Sequence, residues 1–280
     1  MLIARVRLPN KPLVVLTVGE CIYIGDAHGV LYVLNAPYTS AVAVFQSVGP
    51  ISALVFSDNR LYYGNWDGDV GVVDGNKINF GSHIVKCMAV HEDLIYASVG
   101  DFVYALDFNL VVVNAYKVEH KVLCMSVFEG VMYCGMGVPF VARIDDNITT
   151  IGKSAHETSI FCMCGEYTGS ADGIVMRQDY SDLERHVVVY KGKEWIRSMY
   201  SQYLFSEGKN IVADVDGIRY RLGTGLKNLY SHEADVVGVT VVESKIISIG
   251  LDYMYYVYDI GFGFEMSEEE AREISELMGS

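Results

Sequence analysis

The sequence predicts an all-β fold: a seven-bladed β-propeller closed by its N-terminal strand and followed by a short C-terminal helix. Three columns predict it. A tight polar turn between two short apolar runs recurs along the chain, anchored at His28, Asp67, Gly100, Gly137, Asp172, Gly208 and Asp252. Seven residues after the anchor stands a carboxylate or amide, at Asn35, Asp74, Asp107, Asp179 and Asp259; it slips to eight at Asp145 and Asp216. Upstream, His83, His120, His156 and His232 precede their anchors by 17, 17, 16 and 20 residues. Strand-type units with a period of about forty are what a ring of four-stranded sheets produces.

The N-terminal stretch Leu2–Leu8 alternates apolar and basic residues and has no repeat of its own. An open ring leaves two unpaired sheet edges, so this strand is expected to complete the last blade, Val236–Asp259. The first repeat then takes Leu13–Val18, Cys21–Ile24 and Val30–Leu34, and the second Ile51–Phe56, Arg60–Tyr63 and Val70–Val73. The third takes Val85–Val90, Leu94–Ala97 and Phe102–Leu106, and the fourth Val122–Val127, Val131–Cys134 and Phe140–Ile144. The fifth, Ser159–Asp179, is the clearest copy, with the turn Gly169-Ser170-Ala171-Asp172-Gly173 between its apolar runs. The sixth is the least regular, at Trp195–Tyr200, Tyr203–Ser206 and Ile211–Ala213; the seventh is Val236–Val241, Lys245–Ile249 and Met254–Tyr258. Outer strands are expected between repeats, at Ala41–Phe45, Leu110–Ala115, Val187–Tyr190 and Ile218–Leu222, with thinner candidates at Asn76–Phe80 and Thr149–Gly152.

The propeller is expected over residues 1–262 and a tail over 263–280. In the tail, Ser267 and Glu270 form a capping box, and Glu268, Glu269 and Glu270 suit the positive end of a helix dipole. Ala271, Ile274 and Met278 share one face. One acidic amphipathic helix is expected from Glu268 to Leu277, as a lid on the rim or a partner-binding element.

Composition narrows the function classes. The 280 residues are 51% hydrophobic and only 20% charged, with 20 tyrosines and five prolines. That suits buried, β-rich sheet rather than disorder. The formal charge is −14, from 21 basic and 35 acidic residues. Phosphate affinity needs clustered Lys and Arg, so direct nucleic-acid binding is not expected. No apolar run is long enough for a membrane span, and the N-terminus lacks the form of a signal peptide. A cytoplasmic or nuclear setting is expected. Cys87, Cys124 and Cys162 hold the same place in three repeats, each followed by Met, and are expected in the core. Cys162 and Cys164 have no partner pair at zinc spacing, so no metal or cofactor is expected.

The histidine column, His83, His120, His156 and His232, with the turn residues Asp67, Asp172 and Asp252, is expected to be structural. A column repeated around a ring cannot converge on one substrate. The Gly-rich turns are not followed by helices, which excludes a phosphate-cradling loop. No GxSxG elbow is present. No catalytic residue is expected, and the chain is read as a non-enzyme. What remains is surface. Trp66 and Met136 are large residues beside turn anchors, and Trp is favoured at binding hot spots. With Asp67, Arg177 and Glu207 they form the expected partner-binding set.

These turn, histidine and aspartate columns together resemble those of the WD-repeat superfamily, with Gln178 standing where the closing dipeptide has Trp. Within it, three stretches are similar to the branch that holds the mitotic checkpoint propeller binding Bub-type kinases and its relative in nuclear-pore mRNA export. They are Pro50–Asp74, His120–Asn147 and Gly165–Tyr180. The branch usually has Gly-Arg after the fifth-blade turn; here Gly173 is followed by Ile174. The resemblance implies a scaffold or adaptor, monomeric within a hetero-complex, whose face binds a peptide motif of a larger protein partner. A second likeness, carried by EGKNIVADV and LDYMYYVYDIGFGFE, is to the small propeller subunit of translation initiation factor three. It implies a fixed subunit of a ribonucleoprotein complex.

Overall fold

Alternating apolar residues, punctuated by Gly and Asp turns, build seven four-stranded antiparallel sheets among the described residues. The computed structural model describes residues 2–145, 148–183, 185–201, 204–215, 218–222, 232–242 and 245–259. Blade 1 is typical, with strands Pro12–Val18, Cys21–Asp26, Val30–Leu34 and Val42–Gln46 in sequence order. The first strands of successive blades lie against one another, and the last, Val236–Val242, returns to Pro12–Val18, so the ring closes.

Closure uses the chain's two ends. Leu2–Arg7 is the outer strand of blade 7, paired antiparallel with Met254–Asp259 in the register Leu2↔Tyr258, Arg5↔Tyr256 and Arg7↔Met254. Its inward residues Ala4 and Leu8 join a cluster with Ile22, Tyr38, Ile249 and Tyr255, which spans blades 7 and 1. Thr17 and Thr240 meet hydroxyl to hydroxyl at 2.7 Å on the neighbouring first strands. The expected C-terminal helix, Glu268 to Leu277, lies outside the described residues.

The cores sit between blades rather than within them. Val85 of blade 3 packs with Tyr62 and Val70 of blade 2, Val122 of blade 4 with Tyr96 and Val103 of blade 3, and Ile196 with Cys162 and Val175 of blade 5. Close approach is enforced at second-strand glycines. A Cβ on Gly135 would lie 2.6 Å from Ile160 of blade 5, and one on Gly169 would lie 2.6 Å from Ile196 of blade 6. The cysteine column belongs to these junctions: Cys124 Sγ donates to the Ile160 carbonyl at 3.5 Å, and Cys162 Sγ to the Ile196 carbonyl at 3.7 Å. Burial pushes the Cys87 thiol up to about 12 and raises the Cys124 and Cys162 thiols too. These sulfurs therefore stay protonated and are poor nucleophiles.

Blade 6 departs from the sequence expectation. Its first strand is only Met199–Ser201, not Trp195–Tyr200. The preceding backbone is tied to neighbours instead. Ile196 N–H donates to the Ser170 carbonyl of blade 5, Ser198 N–H to Ser206 Oγ, and Ser198 Oγ accepts Val239 N–H of blade 7.

Candidate functional site

In each blade the first strand starts, and the second ends, at one face of the ring. The turns carrying the anchors and the loops between blades gather there. The two are stitched by one repeated bond from a turn N–H to a loop carbonyl. Examples are Ala27 to Lys11, Trp66 to Pro50, Gly137 to Lys121, Ala171 to Ser159 and Leu251 to Asp235, at 2.8 to 3.2 Å.

Beneath that stitch, blades 1, 2, 5, 6 and 7 each have their own polar brace. In blade 5, His156 Nδ1 lies 3.1 Å from Asp172 Oδ2, and its Nε2 lies 2.9 Å from Thr168 Oγ1, which accepts Gln178 Nε2 at 3.0 Å. One assignment satisfies the chain: Nδ1–H donates to the carboxylate, and Nε2 accepts the Thr168 hydroxyl. Blade 7 repeats it with His232, Asp252 and Ser248, and the Tyr258 hydroxyl bonds to Ser248. Burial pushes the Asp172 carboxyl up. The hydrogen bonds from His156, Ser170 and the Glu157 backbone outweigh it and hold it well below the usual carboxylate range; Asp252 is lowered in the same way by His232.

Blades 1, 2 and 6 are braced differently. In blade 1 the buried Asp26 accepts the His28 and Val30 N–H groups, both at 2.8 Å, and Asn10 Nδ2 at 2.9 Å. In blade 2, Asn65 Oδ1 accepts the Asp67 and Asp69 N–H groups, while Asp69 is held by Lys77 at 2.7 Å and Asn79 at 2.7 Å. In blade 6 Glu207 accepts the Lys193 N–H at 2.9 Å and the Tyr190 hydroxyl at 2.8 Å.

Several expected site residues move accordingly. His83 is exposed and packs on Gly100, and His120 is half-buried against the Phe140 ring. Neither braces a turn, because their anchors are glycines with no carboxylate to accept. Asp67 has no histidine partner: it is exposed, and Gly49 lies against its carboxylate, leaving no room for a side chain there. Met136 and Glu207 are not surface groups; both are 0% exposed. The stitch bond gives the reason. It pairs Trp66 with Gly137 and Gly208, so Met136 and Glu207 align with Asn65, Asp26 and Ser170. A one-residue slip in a strand turns the side chain to the other face. Arg177 is exposed, but at the far end of blade 5, beside Glu166 at 3.8 Å. It lines a cleft of about 500 Å³ with Tyr133, Tyr180 and Arg143 on the opposite face of the ring. Of the expected set, only Trp66 and Asp67 remain exposed on the anchor face.

What gathers at the mouth of the ring is a different column. In every blade the second residue of the first strand is a β-bulge, left out of the ladder: Leu13, Ser52, Lys86, Leu123, Phe161 and Val237 in six of them, and Tyr200 on the short strand of blade 6. A bulge re-aims the extra side chain. These six, with Arg197 of blade 6, Trp66, Lys11 and Leu251, line one cleft of about 450 Å³. Trp66 is 44% exposed over it. Next to it, Trp195 is 46% exposed and its ring lies 5.6 Å from Phe161. Arg197 stacks on Trp195 at 4.5 Å and is fixed by Asp235 at 3.0 Å. The cleft runs on, through the shared Lys86 and Leu123, into a second of about 540 Å³ lined by His83, Ile84, Asp101 and Lys121. The signal for this column lies beside the repeated Cys-Met pairs: the residue just before them varies, as Lys86, Leu123 and Phe161, while the Cys and Met after it do not. Among the described residues no group of three or more His, Cys, Asp and Glu has a metal-holding arrangement.

No protein-family model matches the sequence, and no curated protein matches it. Solved structures match the fold. The WD40 β-propeller domain of Doa1 is similar with a TM-score of 0.71 at 11% identity, covering 94% of this chain and 95% of that one. The computationally designed protein Ika8 is similar with a TM-score of 0.63 at 13% identity, covering 92% and 99%. At such identities the likeness is one of fold alone: the chain is a seven-bladed β-propeller.

Proposed function

We propose that the chain is a non-catalytic scaffold that binds a peptide segment of a protein partner at the mouth of the ring. One observation carries this reading. Every blade sends one side chain, chosen independently of its sheet pairing, into a single cleft roofed by an exposed tryptophan. Exposed aromatic and arginine anchors at the centre of a concave patch are the usual make-up of a binding hot spot. The polar residues that could do proton chemistry, His156 and His232, are consumed in their own braces and are buried. The three stretches that resemble the checkpoint and mRNA-export branch support a kinase or nucleoporin as the source of the peptide, with the chain a monomeric propeller inside a hetero-complex.

The test is a comparison of proteins captured from the native cells by the wild-type chain and by Trp66→Ala and Phe161→Ala variants of unchanged fold. Partners of the mouth are lost from both variants, with affinity falling by about 1–3 kcal/mol per truncation. A main partner retained by both removes the mouth as the site.

A second reading, a fixed subunit of a larger assembly, is favoured by the outer strands. Val42 and Val44 of blade 1, Val112 and Val113 of blade 3, and Val187 and Val188 of blade 5 are exposed on sheet edges, and the blade 1 edge carries no blunting charge. Such edges suit a permanent neighbour. Partners retained by both mouth variants and co-eluting stoichiometrically would support that reading.

A further inference from the structure

The charge of the molecule is not spread evenly. The face opposite the mouth carries exposed Glu20, Asp58, Asp74, Glu92, Asp93 and Glu129 on its turns. Its arginines are neutralised locally: Arg60 by Asp58, Arg143 by Asp145, Arg177 by Glu166 and Arg185 by Asp182. The mouth has the opposite balance. Its lining holds Lys11, Lys86, Lys121 and Arg197 against one carboxylate, Asp101. Arg197 is taken by Asp235. Among the described residues no ion pair reaches Lys11, Lys86 or Lys121. The exposed acidic residues Asp67, Glu119, Glu157, Glu194 and Glu233 of that face line neither cleft.

Resting on the reading of the mouth as the binding site, we propose that its partner is an acidic peptide segment with one large apolar side chain. The apolar side chain enters between Trp66, Leu123 and Phe161. Asp or Glu residues beside it meet the ammonium groups of Lys86 and Lys121, which line the continuation of the same cleft. The physical reason is complementarity. A chain of charge −14 repels most acidic segments at long range, and its far face repels them at contact; the mouth is the place where the sign reverses over an apolar floor. A locally positive cleft with low-dielectric walls concentrates the field and steers an anionic ligand to it. The Arg197 guanidinium, 4.5 Å from the Trp195 ring and 5.8 Å from the Phe161 ring, is held by Asp235 and forms a fixed wall of the cleft, which leaves the unpaired positive charge to Lys11, Lys86 and Lys121.

The test uses the full chain as bait for a phage-displayed library of random twelve-residue peptides. Enriched peptides are then synthesised and titrated by fluorescence anisotropy. The expected peptides carry at least two Asp or Glu within a few residues of a single aromatic or Leu. Their affinity falls about tenfold or more in Lys86→Glu and in Lys121→Glu, and falls again as salt is raised, as exposed charge pairs require. Both lysines are exposed, and two separate variants guard against one local misfolding. Neutral or basic peptides that are lost in Trp66→Ala overturn the acidic assignment while leaving the mouth as the site. Peptides indifferent to Trp66→Ala overturn the mouth itself, and a selection that enriches nothing counts against both.

Discussion

Asp172 is the single atom group on which blade 5 most depends. Its carboxylate accepts the His156 ring N–H at 3.1 Å, the Glu157 N–H at 3.0 Å, the Ile174 N–H at 3.0 Å and the Ser170 hydroxyl. Asp172→Ala removes all four hydrogen bonds at once. A hydrogen bond to a charged group contributes about 1.5–3 kcal/mol. Water can replace the carboxylate at Glu157, which is exposed, but not at His156, whose side chain is 0% exposed. A buried polar group left unpaired costs about 1–3 kcal/mol by itself. The variant should lose about 3–4 kcal/mol, a large part of a typical domain's stability of about 5–15 kcal/mol. Urea unfolding followed by tryptophan fluorescence measures it. Asp101→Ala is the control, since that carboxylate sits on the blade 3 turn without a histidine; it should shift stability by about 0.5 kcal/mol at most. A loss below about 1 kcal/mol for Asp172→Ala would refute the idea that the brace, rather than inter-blade packing, fixes the turn.

The same network predicts a pH dependence. Asp172 and Asp252 lie below the ordinary carboxylate range when folded, so their stabilisation is fully present above an unfolded pKa of about 3.9 and is lost as pH falls toward the folded values. The stability gap between wild type and Asp172→Ala should therefore narrow below about pH 4; a gap constant down to the acid transition would contradict this. Gly169→Ala places a methyl 2.6 Å from Ile196 and 2.8 Å from Cys162. It should cost about 1–3 kcal/mol by overpacking, and an unchanged urea midpoint would show that the blades can part without penalty. Deleting residues 2–8 removes the outer strand of blade 7 and uncovers Tyr256 and Tyr258. Hydrogen exchange should then lose protection first at blades 7 and 1, and uniform protection would show that ring closure rests elsewhere.

The sequence made the blade count legible because turns are local. A Gly or Asp at a tight connection announces itself without knowledge of the rest of the chain. The closing strand was legible for a similar reason: Leu2–Leu8 alternates but belongs to no repeat. The mouth was harder. Counting turns on Asp67 and on Gly137 or Gly208 as equivalent introduces a slip of one residue. In a strand that slip is enough to send Met136 and Glu207 outward on paper when they point inward in space. Arg177 shares a blade with the Asp172 turn but sits at its other end, a distinction that needs strand direction. The bulge residues are marked in the sequence only by their variability just before the Cys-Met pairs, which does not say where they point. They stand out only once pairing shows that Lys86, Leu123 and Phe161 have no partner across the ladder.

The bulge has an evolutionary consequence. A residue that takes no part in the ladder and faces no inter-blade core is released from the demands of folding. Lys86 can become Glu, or Phe161 Ser, without altering any register or any close glycine contact. The ring therefore separates what it recognises from what holds it together. Descent can rewrite the mouth one blade at a time, so two chains of this architecture can share every brace and still read unrelated partners.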